Sequence, residues 1–189
     1  MTRRVVLLVP DAGPLISLGR IDRLSLLLLL KLPICVVDHV VYEVTRDPQF
    51  ADAQRIQAFI TQHASTVQVF HTVVGQAAAQ RRAGGESGGQ KGQGEAAIAE
   101  FLARLDEVLD SPDDPVLLLY EDSDIMKQRF VVPDNVHLLS TRALLIGLER
   151  RSQIPSAATI WEEIHAAGRS PATAATDLPA LRPKAGSRW

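Results

Sequence analysis

The segment Val5-Val-Leu-Leu-Val-Pro-Asp11 indicates the fold class of this chain. It is an apolar run with β-branched residues, and it stops at a proline and an aspartate. Runs of this kind are typical of a central parallel strand that is covered on both faces. Two comparable runs follow, one at Ile34–Val37 and one at residues 116–119. Their likeness to the first run predicts several parallel strands in one sheet.

Helix-length segments separate these runs. Residues 50–62 and 95–109 place apolar side chains at helical spacing, which predicts helices packed on the sheet. Strands alternating with helices predict an α/β fold, in which right-handed crossovers join a mainly parallel central sheet to flanking helices. The remaining predicted elements are strands at 66–70 and 136–139, helices at 16–30, 124–130, 141–151 and 156–167, and a further helix capped by Asp38.

The composition of the chain bounds its organisation. With 189 residues and 46% hydrophobic content, it can bury one substantial core and fits one domain with appendages. We predict that this domain spans residues 1–154, followed by an additional C-terminal helix at 155–167 and a mobile tail at 168–189. Residues 75–94 are rich in Gln, Ala, Arg and Gly, which predicts a flexible insert.

Cysteine usage and hydropathy favour a cytoplasmic protein without a membrane anchor. Cys35, the single cysteine, lies in an apolar run, so we expect an inert buried thiol and no disulfide. The apolar stretch after Arg3 and Arg4 is too short for a signal peptide, and the leucine run at 26–30 is too short for a bilayer. A formal net charge of −2 means that any nucleic-acid contact must come from local patches.

Two acidic residues directly follow predicted strands. Asp11 comes after the first strand, and Asp122 comes after the strand at 116–119, with Glu121 and Asp124 beside it. Because ligands of open parallel sheets bind outside the carboxyl ends of the strands, we expect Asp11 and Asp122 to share one crevice. Close carboxylates repel one another and need a cation or a raised pKa, and oxygen ligands suit Mg²⁺ or Mn²⁺. Such a site fits phosphate chemistry.

Taken singly, each acid also has a structural interpretation. Asp11 is a candidate turn former or helix cap, Asp124 a helix cap, and Glu95 a first-turn residue that the helix dipole favours. The interpretation as a site depends on the arrangement of the acids along the chain.

Five segments resemble, in order, the segments of PIN domains. Asp11-Ala-Gly-Pro-Leu-Ile-Ser-Leu18 is similar to the opening aspartate, turn and helix of that family. Val37-Asp-His-Val-Val-Tyr-Glu43 resembles the strand and short helix that present a glutamate, and Gly94-Glu-Ala-Ala-Ile-Ala99 the Gly-Glu start of the central helix. The last two are Leu118-Leu-Tyr-Glu-Asp-Ser-Asp124, where an Asn-Asp-x-Asp often stands, and Leu138-Leu-Ser-Thr-Arg-Ala-Leu-Leu145, which is similar to the closing strand and helix.

The resemblance implies a three-layer PIN-like fold and a metal-dependent endoribonuclease of the VapC-like type, often the toxin of a toxin–antitoxin pair. It implies Mg²⁺ or Mn²⁺ as cofactor, RNA as substrate, an antitoxin protein as partner and a homodimer. The implied catalytic residues are Asp11, Glu43, Glu95 and Asp122, and the implied metal ligands are Asp11, Asp122, Glu95 and Asp124. The insert, the tail and the carboxylate at Glu121 depart from the family pattern.

Cationic and histidine side chains give weaker signals. Arg81, Arg82 and Lys91 in the glycine-rich segment, together with Arg142, are candidate contacts to nucleic-acid phosphates. The histidines are scattered without a repeated spacing, so we expect solvated or structural roles for them. Two alternatives stay open: a PIN-fold RNA- or protein-binding regulatory module that does not cleave, and a phosphatase that uses the same crevice.

Overall fold

The computed structural model describes residues 5–85, 92–121 and 132–171. Its strands are β1 (Leu7–Pro10), β2 (Ile34–Val37), β3 (Val67–Phe70), β4 (Val116–Tyr120) and β5 (Val136–Ser140). They form one parallel sheet of five strands in the order β3-β2-β1-β4-β5. The predicted α/β class with a parallel central sheet is confirmed, and the arrangement is consistent with a three-layer PIN-like fold.

Seven α-helices and two 3₁₀ helices flank this sheet in the described ranges. The first three α-helices pack on one another, the fourth and fifth pack together and against the second, and the last two form a pair. The α-helices are α1 (Ala12–Arg20), α2 (Asp38–Thr45), α3 (Ala51–Gln62), α4 (Val73–Ala83), α5 (Gln93–Ala103), α6 (Thr141–Arg150) and α7 (Ala157–Ala166), and the 3₁₀ helices are Leu24–Leu30 and Leu105–Glu107.

The central strands form the core because their side chains are apolar on both faces. Every residue of β1 and β2 is buried, as expected for strands covered by helices on both sides. Leu8 and Leu118 are fully buried on the neighbouring strands β1 and β4. Cys35 is also buried, and burial raises the pKa of its thiol to about 12, which confirms the prediction of an inert buried cysteine.

The pairing of β1 with β4 places the carboxyl ends of both strands at the same level. Pro10 lies opposite Leu119, and the Asp11 N–H donates a hydrogen bond of 2.9 Å to the Leu119 carbonyl. The strand order reverses at this pair, because the chain adds β2 and β3 on one side of β1 before it returns to β4 on the other. Such a switch point opens a crevice at the carboxyl edge of a parallel sheet.

The predicted helix at residues 16–30 is wrong in its extent. α1 ends at Arg20, and Asp22 adopts a left-handed backbone conformation with φ of 57°. The Arg23 N–H then donates a hydrogen bond of 2.8 Å to the Leu18 carbonyl. A left-handed residue after the last turn, followed by such a bond, is a common way for a helix to end. The leucine run forms a separate 3₁₀ helix, Leu24–Leu30, in which only part of the leucines are buried.

The predicted flexible insert at 75–94 is also wrong in part. Residues 73–83 form α4, and the Thr72 side chain caps this helix by accepting from the Gly75 N–H at 2.9 Å. The insert ends within α5, which begins at Gln93, and its residues 86–91 lie outside the described ranges.

Four further predictions need correction or lie at least partly outside the described ranges. The helix at 95–109 is α5 followed by the 3₁₀ helix Leu105–Glu107. Asp38 is not the cap of α2, because Val37 holds that position and the Asp38 carboxylate binds Thr72 instead. The helix at 124–130 and residues 172–189 of the tail lie outside the described ranges.

Among the helices that the structure does describe, none is both long and apolar enough to span a bilayer.

Two helical glycines provide a test of this packing. A Cβ on Gly75 would overlap the Asp38 carboxylate, which accepts hydrogen bonds from the backbone N–H of His39 and from the N–H and hydroxyl of Thr72. A Cβ on Gly147 would meet nothing within 4 Å. We expect Gly75→Ala to destabilise the fold by about 1–3 kcal/mol in urea denaturation. Gly147→Ala should instead stabilise it by about 0.5–1 kcal/mol, and equal effects would contradict this account.

Candidate active site

Asp11 lies at the switch point of the sheet. It directly follows β1 and occupies the N-cap position of α1 in an extended conformation. Its side chain makes no capping hydrogen bond to α1, although Ser140 and Ser156 do cap their helices in this way. The structural interpretation of Asp11 is therefore right about its position and wrong about a capping hydrogen bond.

Glu43 approaches the first turn of α5 closely. A Cβ on Gly94 would lie 2.8 Å from Glu43 Oε2 and 3.0 Å from Oε1, so the Glu43 carboxylate would have to shift to make room for it. Gly94 thus permits the carboxyl group of α2 to sit against the start of α5. This contact gives a physical reason for the glycine that precedes Glu95.

Asp11 and Glu95 are close enough to Glu43 for their charges to affect its ionisation. The pKa of Glu43 is raised to about 7, first by its burial and then by the negative charges of Asp11 and Glu95. Glu95 lies in the first turn of α5 and is exposed. Three acids predicted from distant parts of the sequence therefore converge, each from a different element.

His39 contacts this acidic cluster, which the sequence analysis did not predict. Its Nε2 lies 3.5 Å from Glu43 Oε1, and the side chain is almost fully buried. Burial lowers the pKa of His39, and the charges of Arg82 and Arg81 lower it further, against an opposing effect of Asp38. The contact is therefore between a neutral imidazole and a carboxyl group, not an ion pair. The i,i+4 spacing of the two residues on α2 was the available signal.

The described acids supply part of a metal-binding set. Carboxylate oxygens are the donors that Mg²⁺ and Mn²⁺ prefer. After burial, repulsion by Asp11 and Glu95 raises the pKa of Glu43, and a bound cation would relieve this repulsion. Within the described ranges, however, no three acidic, histidine or cysteine side chains are close enough to hold an ion by themselves. The other predicted ligands, Asp122 and Asp124, lie outside those ranges.

Glu121 contributes to packing between distant segments. Its Oε2 accepts hydrogen bonds from Ser17 Oγ at 2.7 Å and from an Arg169 Nη2 at 3.1 Å, while Arg169 Nε donates to Ser17 Oγ at 3.0 Å. The Glu121 side chain is buried, and a Cβ on Gly13 would lie only 2.9 Å from its Cβ. We call Ser17, Glu121 and Arg169 the C-terminal clasp, because they join the segment after α7 to α1 and to the end of β4.

The clasp explains the carboxylate that departs from the PIN pattern. A guanidinium group and a hydroxyl, both from this chain, satisfy Glu121 Oε2, so the charge of Glu121 is balanced without a metal ion. Glu121 Oε1 is buried and has no hydrogen-bond partner among the described residues. Arg169 was not predicted as a functional residue because it lies at the start of the predicted mobile tail.

The predicted phosphate contacts fall in two places. Arg81 and Arg82 lie in the last turn of α4, and the Arg82 Cζ sits 3.5 Å from the centre of the Tyr42 ring. Arg142 lies in the first turn of α6, where its Cζ is 5.9 Å from the centre of the Trp161 ring. Lys91 lies outside the described ranges.

Comparisons of the chain with family models, with curated proteins and with solved structures gave no match.

The pKa of Glu43 predicts how stability depends on pH without metal. Between the ordinary value of 4.5 and about 7, the folded chain holds a proton that the unfolded chain has released. The free energy of unfolding should therefore fall as pH rises through this window. We expect Glu43→Gln to unfold at a higher temperature than the wild type at about pH 8 in EDTA, and at a similar temperature at about pH 5.

The matched control is Glu162→Gln, which removes an exposed carboxylate from α7. Its unfolding temperature should follow that of the wild type at both pH values. A Glu43→Gln protein that is less stable than the wild type at the higher pH would refute the raised pKa of Glu43.

The C-terminal clasp predicts a second effect on stability. Arg169→Gln leaves the buried Glu121 carboxylate without its charged partner, and should cost about 1–3 kcal/mol in urea denaturation. Adding Glu121→Gln should recover part of this loss, because the buried charge is then gone. Arg150→Gln, at an exposed position on α6, should have little effect. Purely additive losses at Arg169 and Glu121 would show that the pair is not coupled.

Proposed function

We propose that this protein is a Mg²⁺- or Mn²⁺-dependent endoribonuclease of the PIN-domain type. The observation that carries the proposal is the convergence of Asp11, Glu43 and Glu95, in which burial and then the charges of Asp11 and Glu95 raise the pKa of Glu43. These acids lie at the carboxyl edge of a parallel sheet, near the strand pair at which its order reverses. The PIN resemblance assigns Asp122 to the same centre, with Asp124 as a further ligand.

The roles of the residues follow from their positions. Asp11 and Asp122 would hold the cation most directly, with Glu95 and Asp124 completing its oxygen ligands. The cation would supply activation of water and stabilisation of charge on the scissile phosphate. Glu43 would accept a proton from the attacking water, since its carboxyl group titrates near neutral pH and is supported by the neutral His39. The N-termini of α1 and α5 would favour the anionic substrate.

The biological setting is part of the proposal. We infer a cytoplasmic toxin of a toxin–antitoxin pair that acts as a homodimer, and whose partner is a small antitoxin. Expression of the chain alone should then arrest growth of a bacterial host, and a small gene beside its own should relieve the arrest.

The direct test is cleavage of RNA by the purified protein. The wild type should cleave single-stranded and structured RNAs in Mn²⁺ but not in EDTA, and Asp11→Asn should reduce the rate roughly 100-fold or more. The control Asp106→Asn removes an exposed carboxylate from the 3₁₀ helix Leu105–Glu107 and should leave the rate unchanged.

Three outcomes would overturn the proposal. Equal cleavage by the wild type and Asp11→Asn would indicate a contaminating nuclease. RNA or protein binding without turnover in any metal would favour a non-cleaving regulatory module. Turnover of small phosphate esters that depends on Asp11, without RNA cleavage, would favour a phosphatase.

A further inference from the structure

The arginines of this chain differ in whether a carboxylate neutralises them. Within residues 5–85, 92–121 and 132–171, five arginines lie within ion-pair distance of an aspartate or glutamate, namely Arg20, Arg23, Arg55, Arg104 and Arg169. Three arginines on α4 or at the end of α2 make no ion pair with any residue that the structure describes. These are Arg46, Arg81 and Arg82, and we call them the arginine patch.

The arginine patch lies beside the acidic cluster. The charge of Arg46 opposes the rise in the pKa of Glu43, and the charges of Arg82 and Arg81 lower the pKa of His39. Positive charges that act on these two side chains must be near them, because such effects decay with distance. The three arginines therefore lie near His39 or Glu43, which contact one another on α2 beside Asp11 and Glu95.

Arg82 is held in place by an aromatic ring. Its Cζ lies 3.5 Å from the centre of the Tyr42 ring, and Tyr42 is partly exposed on α2. A guanidinium group that stacks on a ring keeps its N–H donors directed outward in its own plane, where they can bind phosphate oxygens. Arg46 follows Tyr42 by four residues at the end of α2, so it lies one turn further along the same face.

The rest of the surface supplies a contrast. Arg150 and Arg151, at the end of α6, also lack an ion pair with any described residue. α6 begins at the carboxyl end of β5, so its last turn lies about 15 Å along the helix axis from that edge of the sheet. These two arginines lie far from the acidic cluster. They therefore serve as a control that has the charge of two patch arginines at a different place on the surface.

We propose that Arg46, Arg81, Arg82 and Tyr42 bind the phosphodiester backbone of a single nucleic-acid strand next to the acidic cluster. Positive charge combined with an aromatic ring is the usual composition of surfaces that bind single strands. The patch covers about one turn of α2 and the end of α4, which suits two or three successive phosphates of one strand better than the two backbones of a duplex. Its role in holding the substrate for cleavage rests on the proposed function.

The experiment measures binding without cleavage. Fluorescently labelled RNA and DNA oligonucleotides of about 12 nucleotides are titrated with the protein in EDTA over a series of salt concentrations. We expect the double variant Arg46→Gln/Arg82→Gln to bind more weakly than the wild type. Its salt dependence, the slope d log K/d log[salt], should be smaller in magnitude by about 1.4, because two phosphate contacts are lost. The control Arg150→Gln/Arg151→Gln removes the same charge and should bind like the wild type.

The Tyr42 variants separate the ring from the hydroxyl. Tyr42→Phe keeps the ring under Arg82 and should bind like the wild type, whereas Tyr42→Leu should bind more weakly. A duplex of the same sequence should bind more weakly than the single strand. Similar affinity for RNA and DNA supports recognition of the backbone, and a preference for RNA supports additional contact with ribose.

Several results would overturn this assignment. They are equal loss of binding in the two double variants, no loss in either, or tighter binding of the duplex. Binding of an acidic peptide in place of both oligonucleotides would identify the patch as a protein-docking surface. The binding result is independent of catalysis: an RNase whose patch variants bind normally refutes only this inference, and a protein that binds single strands through the patch without cleaving refutes only the nuclease.

Discussion

The parallel pairing of β1 with β4 is the interaction on which the arrangement of the site depends. It sets Pro10 opposite Leu119, so both strands end at one level and the chain leaves the sheet at two neighbouring points. The side chains that hold the pair are apolar and buried on both faces, which makes a shift in register costly. Asp11 and Glu121 therefore start from adjacent positions, yet Glu121 is bound by Ser17 and Arg169.

Local sequence carried enough information for the strands but not for every helix end. β2 coincides with its predicted run because four apolar residues after a proline have few alternatives to a buried strand. The break after α1 depends on one left-handed residue, Asp22. The apolar residues on both sides of Asp22 give a continuous helical pattern, so the sequence does not indicate the break. α4 was predicted as part of a loop because the glycines at 84–94 outweighed the alanines, glutamines and arginines at 76–83. The latter residues favour helix, and Thr72 caps it.

Sheet geometry alone predicted only the part of the candidate site that directly follows the strands. Asp11 followed from its place after a strand, whereas Glu43 and Glu95 required the family resemblance. The contact between Glu43 and Gly94 joins residues far apart in the sequence, and no local pattern reveals it. Arg169 and Glu121 are likewise 48 positions apart, so no local pattern reveals their contact either. Tertiary packing, which no propensity encodes, determines both contacts.

The close approach of Glu43 to Gly94 also bears on how this chain can change over evolutionary time. A Cβ at position 94 would require the Glu43 carboxylate to turn away from the start of α5, because the two groups would otherwise lie closer than side-chain atoms normally do. Loss of Glu43 would remove this constraint on position 94. A lineage in which Glu43 keeps its present position should therefore keep Gly94, whereas one that has lost the glutamate is free to replace the glycine.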